Sequence, residues 1–319
     1  MPQPTTNDVH VDAILTNISV AYIQDQGSFI ANRVFPSVPV EKQSDKYYTY
    51  TKGDWFRDEA QLRAPATESA GSGYNLSTST YSTSVYAFHK DVDDQVRANA
   101  DNPLNPDRDA TQFVTQRLLL RQEVEWMSSY FTTGVWDTDV TGGSDFTVWS
   151  NYTSSDPITD VEAGKSAILS NTGFMPNVMV LGYDVFRQLR HHPDIVDRIK
   201  YTSSEVPAEG ILARLFGVDR VLVSRSIINS GAEGASDSFG FNAGNNAALY
   251  YVAPSPGLLT PSAGYQFTWR GVSDGMGQNV GISRFRMPEL RADRIEAQMA
   301  WDYKVIATDL GYFFSGCVA

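Results

Sequence analysis

Residues able to do covalent chemistry are few in this chain, and their spacing does not assemble them. The four histidines are His10, His89, His191 and His192. No two of them have metal-ligand spacing with a third ligand type nearby. His191 and His192 close a short helical pattern before Pro193, where the helix dipole and a solvated surface account for them. The strand–turn–helix motif GxSxG of serine hydrolases is absent; SAGSG (69–73) and GGSDF (142–146) read as loops. GVSDGMGQNVG (271–281) lacks the Lys-Ser/Thr of a phosphate-binding loop and does not open a helix after a first strand, so it too reads as a loop. Asp91, Asp93 and Asp94 are packed too tightly, with no glycine turn, for a calcium loop. Cys317 has no partner for an internal disulfide and reads as a small buried hydrophobe. The residues point to no catalytic, metal or cofactor site, and hence to no enzyme.

Composition points instead to association. Charged residues are 19% of the 319, against about 25% for typical soluble proteins. Aromatic residues reach 12%. Low charge with many Tyr and Trp suits surfaces that close on partners. Asp and Glu outnumber Lys and Arg 37 to 25, for a net charge of −12. Sequence-specific nucleic-acid binding and a basic membrane-surface helix are therefore disfavoured. No apolar run approaches the ~18 residues of a membrane span, and the N-terminus has no basic-then-apolar leader. A soluble protein made in a cytoplasm is expected.

The elements that must position these surfaces follow in order. Residues 1–45 carry little regular signal beyond a short helix around 14–23 and the extended FPSVPVEKQ (35–43); they read as an arm. KYYTYTKGDWF (46–56) and the alternating STSTYSTSVYAFHKDV (77–92) predict a long hairpin about the polar loop 57–73. An isolated two-stranded hairpin is marginal in water, so its rings need a surface, and Tyr48, Trp55 and Tyr86 are expected to contact a neighbouring subunit. A helix over 107–134 follows, with a capping box at Asp109 and Gln112 and Gly134 at its end. Phe113, Leu120, Val124, Met127 and Phe131 mark its expected core face, packed on C-terminal strands carrying Ile295, Met299 and Trp301, with Glu125 on the wetter side. Mixed α/β structure runs from 157 to 285, opening with a helix capped by Thr159 and Glu162 and continuing through a strand at 178–181, two short helices over 186–201, and strands at 220–224, 247–252 and 265–270. INSGAEGASDSFGFNAGNN (228–246) is turn-rich. Strands at 294–301, 303–308 and 311–316 close the chain.

This order of parts resembles the subunit of tailed-phage capsids of the Hong Kong 97 type. Particular stretches resemble that family too. SDPITDVEAGKSAILSNTGFMPNVMVLGYDVFRQLRHHPDIVDRIKY (155–201) has an Asp-Pro, a helix, Gly-x-x-Pro-Asn, an apolar strand and a helix ending at His-Pro. LARLFGVDRVLVSRSIIN (212–229), ALYYVAPSPGLLTPSAGYQFTW (248–269), ADRIEAQMAWDYKVIATDLGYFF (292–314) and ILTNISVAYIQDQGSFIANRVFPSVPVEKQSDKYYTY (14–50) match its later and opening parts. The resemblance implies an α+β fold. Its parts would be an N-terminal arm (1–45), an extended E-loop hairpin (46–92), a P domain with its spine helix (93–156), an A domain (157–285) and return strands of the P domain (286–319). It implies a major capsid protein assembled in the host cytoplasm into the icosahedral shell of a virion around double-stranded DNA, which it would touch non-specifically. Hexamers and pentamers of itself, a separate scaffolding protein, a portal protein and a decoration protein would be its partners, with no membrane. No long coiled region precedes residue 14, so a fused scaffold is not expected. Lys52 has no visible Asn and Glu partners for the covalent cross-link of some relatives. An encapsulin-like compartment shell shares the fold and is the alternative. A mixed α/β hydrolase lacks a nucleophile and base, and an extracellular adhesin lacks a secretion signal.

Overall fold

A computed structural model describes residues 24–100, 104–199, 208–257, 259–271 and 281–319. The helix expected around 14–23, His10, and all but the ends of the stretch 271–281 lie outside them.

After a 3-10 turn at Gln26–Ser28 come α1 (Ala31–Val34) and β1 (Ser37–Val40). Phe29, Ile30, Ala31, Val34 and Phe35 are buried in the chain's own core. Phe35 is a hub: ring centroids of Trp126, Tyr250, Tyr130, Trp136 and Tyr303 stand 5.8, 5.9, 6.4, 6.4 and 6.5 Å away, all edge-on. Such edge-to-face pairs add to simple burial. From residue 29 onward the expected arm is thus part of the folded unit. Pro39 has no N–H for a second neighbour, which suits the edge position of β1.

The hairpin is β2 (Ser44–Tyr50) and β3 (Leu76–Ser82), in register from Ser44↔Ser82 to Tyr50↔Leu76, with the helical turn α2 (Lys52–Trp55) at its far end. Residues 57–73 form neither helix nor strand and are exposed. The strand expected over 77–92 is two strands. β4 (Ser84–Asp93) leaves the hairpin after Thr83, whose N–H and hydroxyl both donate to the Gln43 carbonyl at 2.9 Å. Alternation has the same period on both sides of that break, so the sequence pattern runs through it.

After α3 (Asp94–Asn99) comes α4 (Pro106–Tyr130), the long helix. Asn105 caps it, its side chain accepting from the Arg108 N–H at 3.1 Å, with Pro106 in the first turn. Asp109 and Gln112 lie inside the helix and not at its start. β5 (Thr138–Thr141) and α5 (Pro157–Thr172) follow. The α5 cap is Asp156, accepting from the N–H groups of Ile158 and Thr159 at 3.2 and 3.1 Å, three residues before the capping box expected at Thr159. Gly173, at φ 75°, ends the helix in the left-handed conformation that disfavours a side chain. The remaining elements are β6 (Val178–Gly182), α6 (Tyr183–His191), α7 (Pro193–Ile199), α8 (Glu209–Phe216), β7 (Arg220–Ser224), β8 (Ile227–Asn229), β9 (Phe239–Phe241), β10 (Ala247–Tyr250), β11 (Gly264–Trp269), β12 (Gly281–Met287), β13 (Ala292–Val305) and β14 (Gly311–Ser315).

Two five-stranded sheets organise these pieces. In the first, β13 is the axis. Its one edge pairs with β4, and its other edge pairs first with β12 and then with β11, which carries β1. α4 packs on β4 and β13. The second sheet has the order β5-β14-β10-β6-β7, with β6 buried along its whole length. α5 crosses it closely: a Cβ at Gly164 would stand 3.1–3.2 Å from Leu249, Phe314 and Tyr312. The closing strands therefore divide. The expected strands 294–301 and 303–308 are one strand of the first sheet, whereas β14 crosses into the second, as β5 does.

Candidate assembly surfaces

Three surfaces follow from this frame: the hairpin, the long helix, and the charged junction between them. On the hairpin, Tyr48 is 59% and Trp55 53% exposed. Trp55 joins Tyr50 and Tyr74, at 6.0 and 5.6 Å, in an aromatic group at the far end. Asp54 holds that end in shape, accepting from Asn75 N–H at 2.9 Å and Nδ2 at 3.0 Å. At the near end Tyr81 stacks on Phe267 at 4.5 Å and Tyr47 at 5.6 Å, in a small second core with Tyr265 and Ala253. Tyr86 does not belong to this surface. It sits on β4, stacked at 4.2 Å on Trp301, with the Arg121 guanidinium 5.5 Å from its ring. Tyr86, expected at an intersubunit contact, instead packs on the chain's own core, because Thr83 ends the hairpin before it.

The buried face of α4 also differs from the expected stripe. Met127 and Phe131 are buried, and Phe113 is half-buried, 5.9 Å from Phe88. Leu120 and Val124 are only half-buried and stand outside the core cluster. The buried positions are Ala110, Val114, Leu118, Gln122, Glu123, Trp126 and Met127. Steps of four residues precess about 40° around a helix of 3.6 residues per turn. The face from Ala110 to Trp126 therefore winds around α4, which is covered by β4 and β13 and by α1. The Leu118-Leu119-Leu120 run offers every phase, and an apolar count passes over Ala110, Gln122 and Glu123. Glu125, expected on a wet face, is half-buried and 3.7 Å from Arg121.

Glu123 is the residue that periodicity missed. Fully buried, its Oε2 accepts from the N–H groups of Ile30 and Ala31 at 2.8 Å each, and its Oε1 from Ser224 Oγ at 2.9 Å. Ser226 Oγ is 3.4 Å away. One carboxyl thus joins the chain before β1, the long helix and the end of β7. Burial pushes its pKa up, against the pull of the four donors.

Where β4 passes to α3 and α4, three arginines meet three aspartates. Arg97 bonds Asp107 at 2.8 Å and lies 3.0 Å from Asp293; Arg286 bonds Asp94 at 2.6 Å and Asp293 at 3.2 Å; Arg284 also pairs with Asp293. Beside them Arg294 clasps Asp91 at 2.7 and 2.9 Å. Asp91, Asp93 and Asp94 are thus used up as arginine partners and, for Asp93, as the cap of α3, accepting from Gln95 N–H. The Arg284 bond, then Arg286, holds the Asp293 carboxyl at about 2. A carboxylate held low stabilises the fold above its ordinary value of about 4, and this is lost as pH falls through the folded value. Thermal melts between pH 4 and pH 2 should accordingly show a steep fall that is shallower in Asp293→Asn; equal slopes would show the junction to be energetically idle.

His192 is fully buried, not solvated as expected. Its Nε2 is 2.9 Å from Ser155 Oγ, and its carbonyl accepts from the Ile195 and Val196 N–H groups, so it links α6 to α7. Burial lowers its pKa. Cys317 is buried and its thiol pushed up by burial. Among the described residues no three His, Cys, Asp or Glu side chains gather to hold a metal ion, and no helix is long and apolar enough to cross a membrane.

No family model matches the sequence. The chain is similar to the major capsid protein of Burkholderia phage BcepMu, 24% identical over 96% of each chain, and to that of Pseudomonas phage JBD67, 26% identical over 97% of each. In structure it is similar to a phage-related protein from Bordetella bronchiseptica RB50, with TM-score 0.68 and 23% identity over 92% of this chain and 94% of that one. The capsid of cyanophage P-SCSP1u gives TM-score 0.63 at 9% identity, over 97% and 93% of the two chains. An encapsulin from Synechococcus elongatus gives 0.58 at 13%, over 95% and 92%. The chain has the Hong Kong 97-type capsid fold, and it resembles phage major capsid proteins over nearly its whole length.

Proposed function

We propose that the chain is the major capsid protein of a tailed phage, a structural subunit of the virion shell around double-stranded DNA. The observation that carries this is the end-to-end similarity to two phage major capsid proteins together with the capsid fold. α4, β4, β12 and β13 would form the P domain, with α4 as the spine helix. The sheet β5-β14-β10-β6-β7 with α5 to α8 would form the A domain, directed to the axes of hexamers and pentamers. The hairpin is the E-loop. Tyr48 and Trp55, exposed and aromatic, would lie on a neighbouring copy. A separate scaffolding protein, a portal and a decoration protein would complete assembly in the host cytoplasm, with the acidic chain touching DNA only non-specifically.

Purification after co-expression with the adjacent genes, followed by electron microscopy and sedimentation, is expected to yield closed particles. In them the segment 57–73, the first protease target of the free subunit, should have its flanking strands protected. A stable monomer under every condition, or equal cleavage in both states, would contradict the reading. The encapsulin neighbour supports a second reading, a compartment shell; protein-filled particles lacking a portal vertex would favour it.

A further inference from the structure

The two ends of the hairpin are held differently. At the near end, rings are stacked and partly buried: Tyr81 and Tyr47 on Phe267. Ser82 N–H also donates to Asp302 at 2.8 Å. At the far end, two lighter contacts reach the hairpin's own subunit. Lys52 pairs with Asp309, in the turn Thr308–Leu310 between β13 and β14. The Phe56 ring lies over Gly173, at the end of α5, where a Cβ would stand 3.5 Å from it. Phe56 remains largely exposed despite this contact. Segment 57–73 beyond adds no buried anchor.

We propose that the hairpin is a strap, hinged on Phe267 and closed in the free subunit by Lys52–Asp309 and Phe56–Gly173, whose release frees the Trp55 end for a second copy of the chain. This rests on the capsid reading and adds to it a contact that opposes assembly until it opens. The energetics suit a catch. A partly exposed ion pair shifts an equilibrium about fivefold at most, and ionic strength screens it. The stacked hinge is apolar and unaffected by salt screening, so the far end opens while the near end stays.

Hydrogen exchange of residues 50–56 in free subunits of the full-length protein reads the catch directly. Lys52→Glu and Asp309→Lys, which replace the attraction by a repulsion, should each speed that exchange about threefold to tenfold and shorten the lag of particle formation followed by light scattering. Lys52→Gln should act in the same direction and less. The double variant Lys52→Glu with Asp309→Lys should return both readouts close to the original protein. Unchanged exchange in the single variants, or no recovery in the double variant, overturns the strap. The exchange readout needs no particles. A subunit whose exchange follows this pattern while no variant ever assembles therefore keeps the strap and overturns the capsid reading.

Discussion

Trp126→Ala is expected to remove about 3–5 kcal/mol of stability, the usual cost of emptying a buried large aromatic site. Trp126 is fully buried where the winding face of α4 meets the hub, 5.8 Å from Phe35, 5.9 Å from Phe131 and 6.4 Å from Tyr250. These rings come from the chain before β1, from the end of α4 and from β10, so one cavity loosens both sheets. A subunit with the usual margin of about 5–15 kcal/mol should then be largely insoluble at 37 °C. Leu120→Ala should cost about 1 kcal/mol, since its side chain is only half-buried. Denaturant unfolding of both variants orders them. A larger loss at Leu120 than at Trp126 would reject the helix phase described above.

Glu123→Leu should rank next, at about 2–5 kcal/mol. It leaves the N–H groups of Ile30 and Ala31 buried without an acceptor, and each unsatisfied group costs about 1–3 kcal/mol. Glu123→Gln should lose far less, because its amide oxygen still accepts from both N–H groups and its amide still meets the serines. The carboxyl is held above the ordinary carboxylate value by burial. Its contribution is therefore fully present below the unfolded value and declines as pH rises through the folded one. Glu123→Gln should flatten that decline in melts on the alkaline side of pH 4. Hydrogen exchange at Ile30 and Ala31 locates the damage: fast exchange there in Glu123→Leu with a quiet β14 marks loss of the clamp and not general unfolding. If Glu123→Leu matches the original protein in both stability and exchange, the carboxyl is not what holds the chain before β1.

Much of this protein was open to sequence reasoning because its signals are local. Pro106 and the aspartates of the next turn mark the long helix, Gly173 marks the end of α5, and VMVL is a strand buried on both sides. Hydrophobic period, capping chemistry and turn residues act over a few positions, so the order of elements, and with it the resemblance to capsid subunits, could be read directly. What tertiary structure decided are choices between locally equal options. Thr83 breaks a pattern that alternates on both sides of it, and only the Gln43 carbonyl, 40 residues away, selects the break. β14 joins the second sheet because it pairs with β10, and it carries β5 there by a parallel pairing, contacts no local period encodes. Leu118 is taken into the core over Leu120 because β4, β13 and α1 cover different sides of one helix. Glu123 is buried because four donors from two distant segments converge on it. Phe35 joins the core because five rings surround it. Local sequence chemistry determined which elements form, and long-range packing, which satisfies buried polar groups and fills space, decided which face of each one is inside.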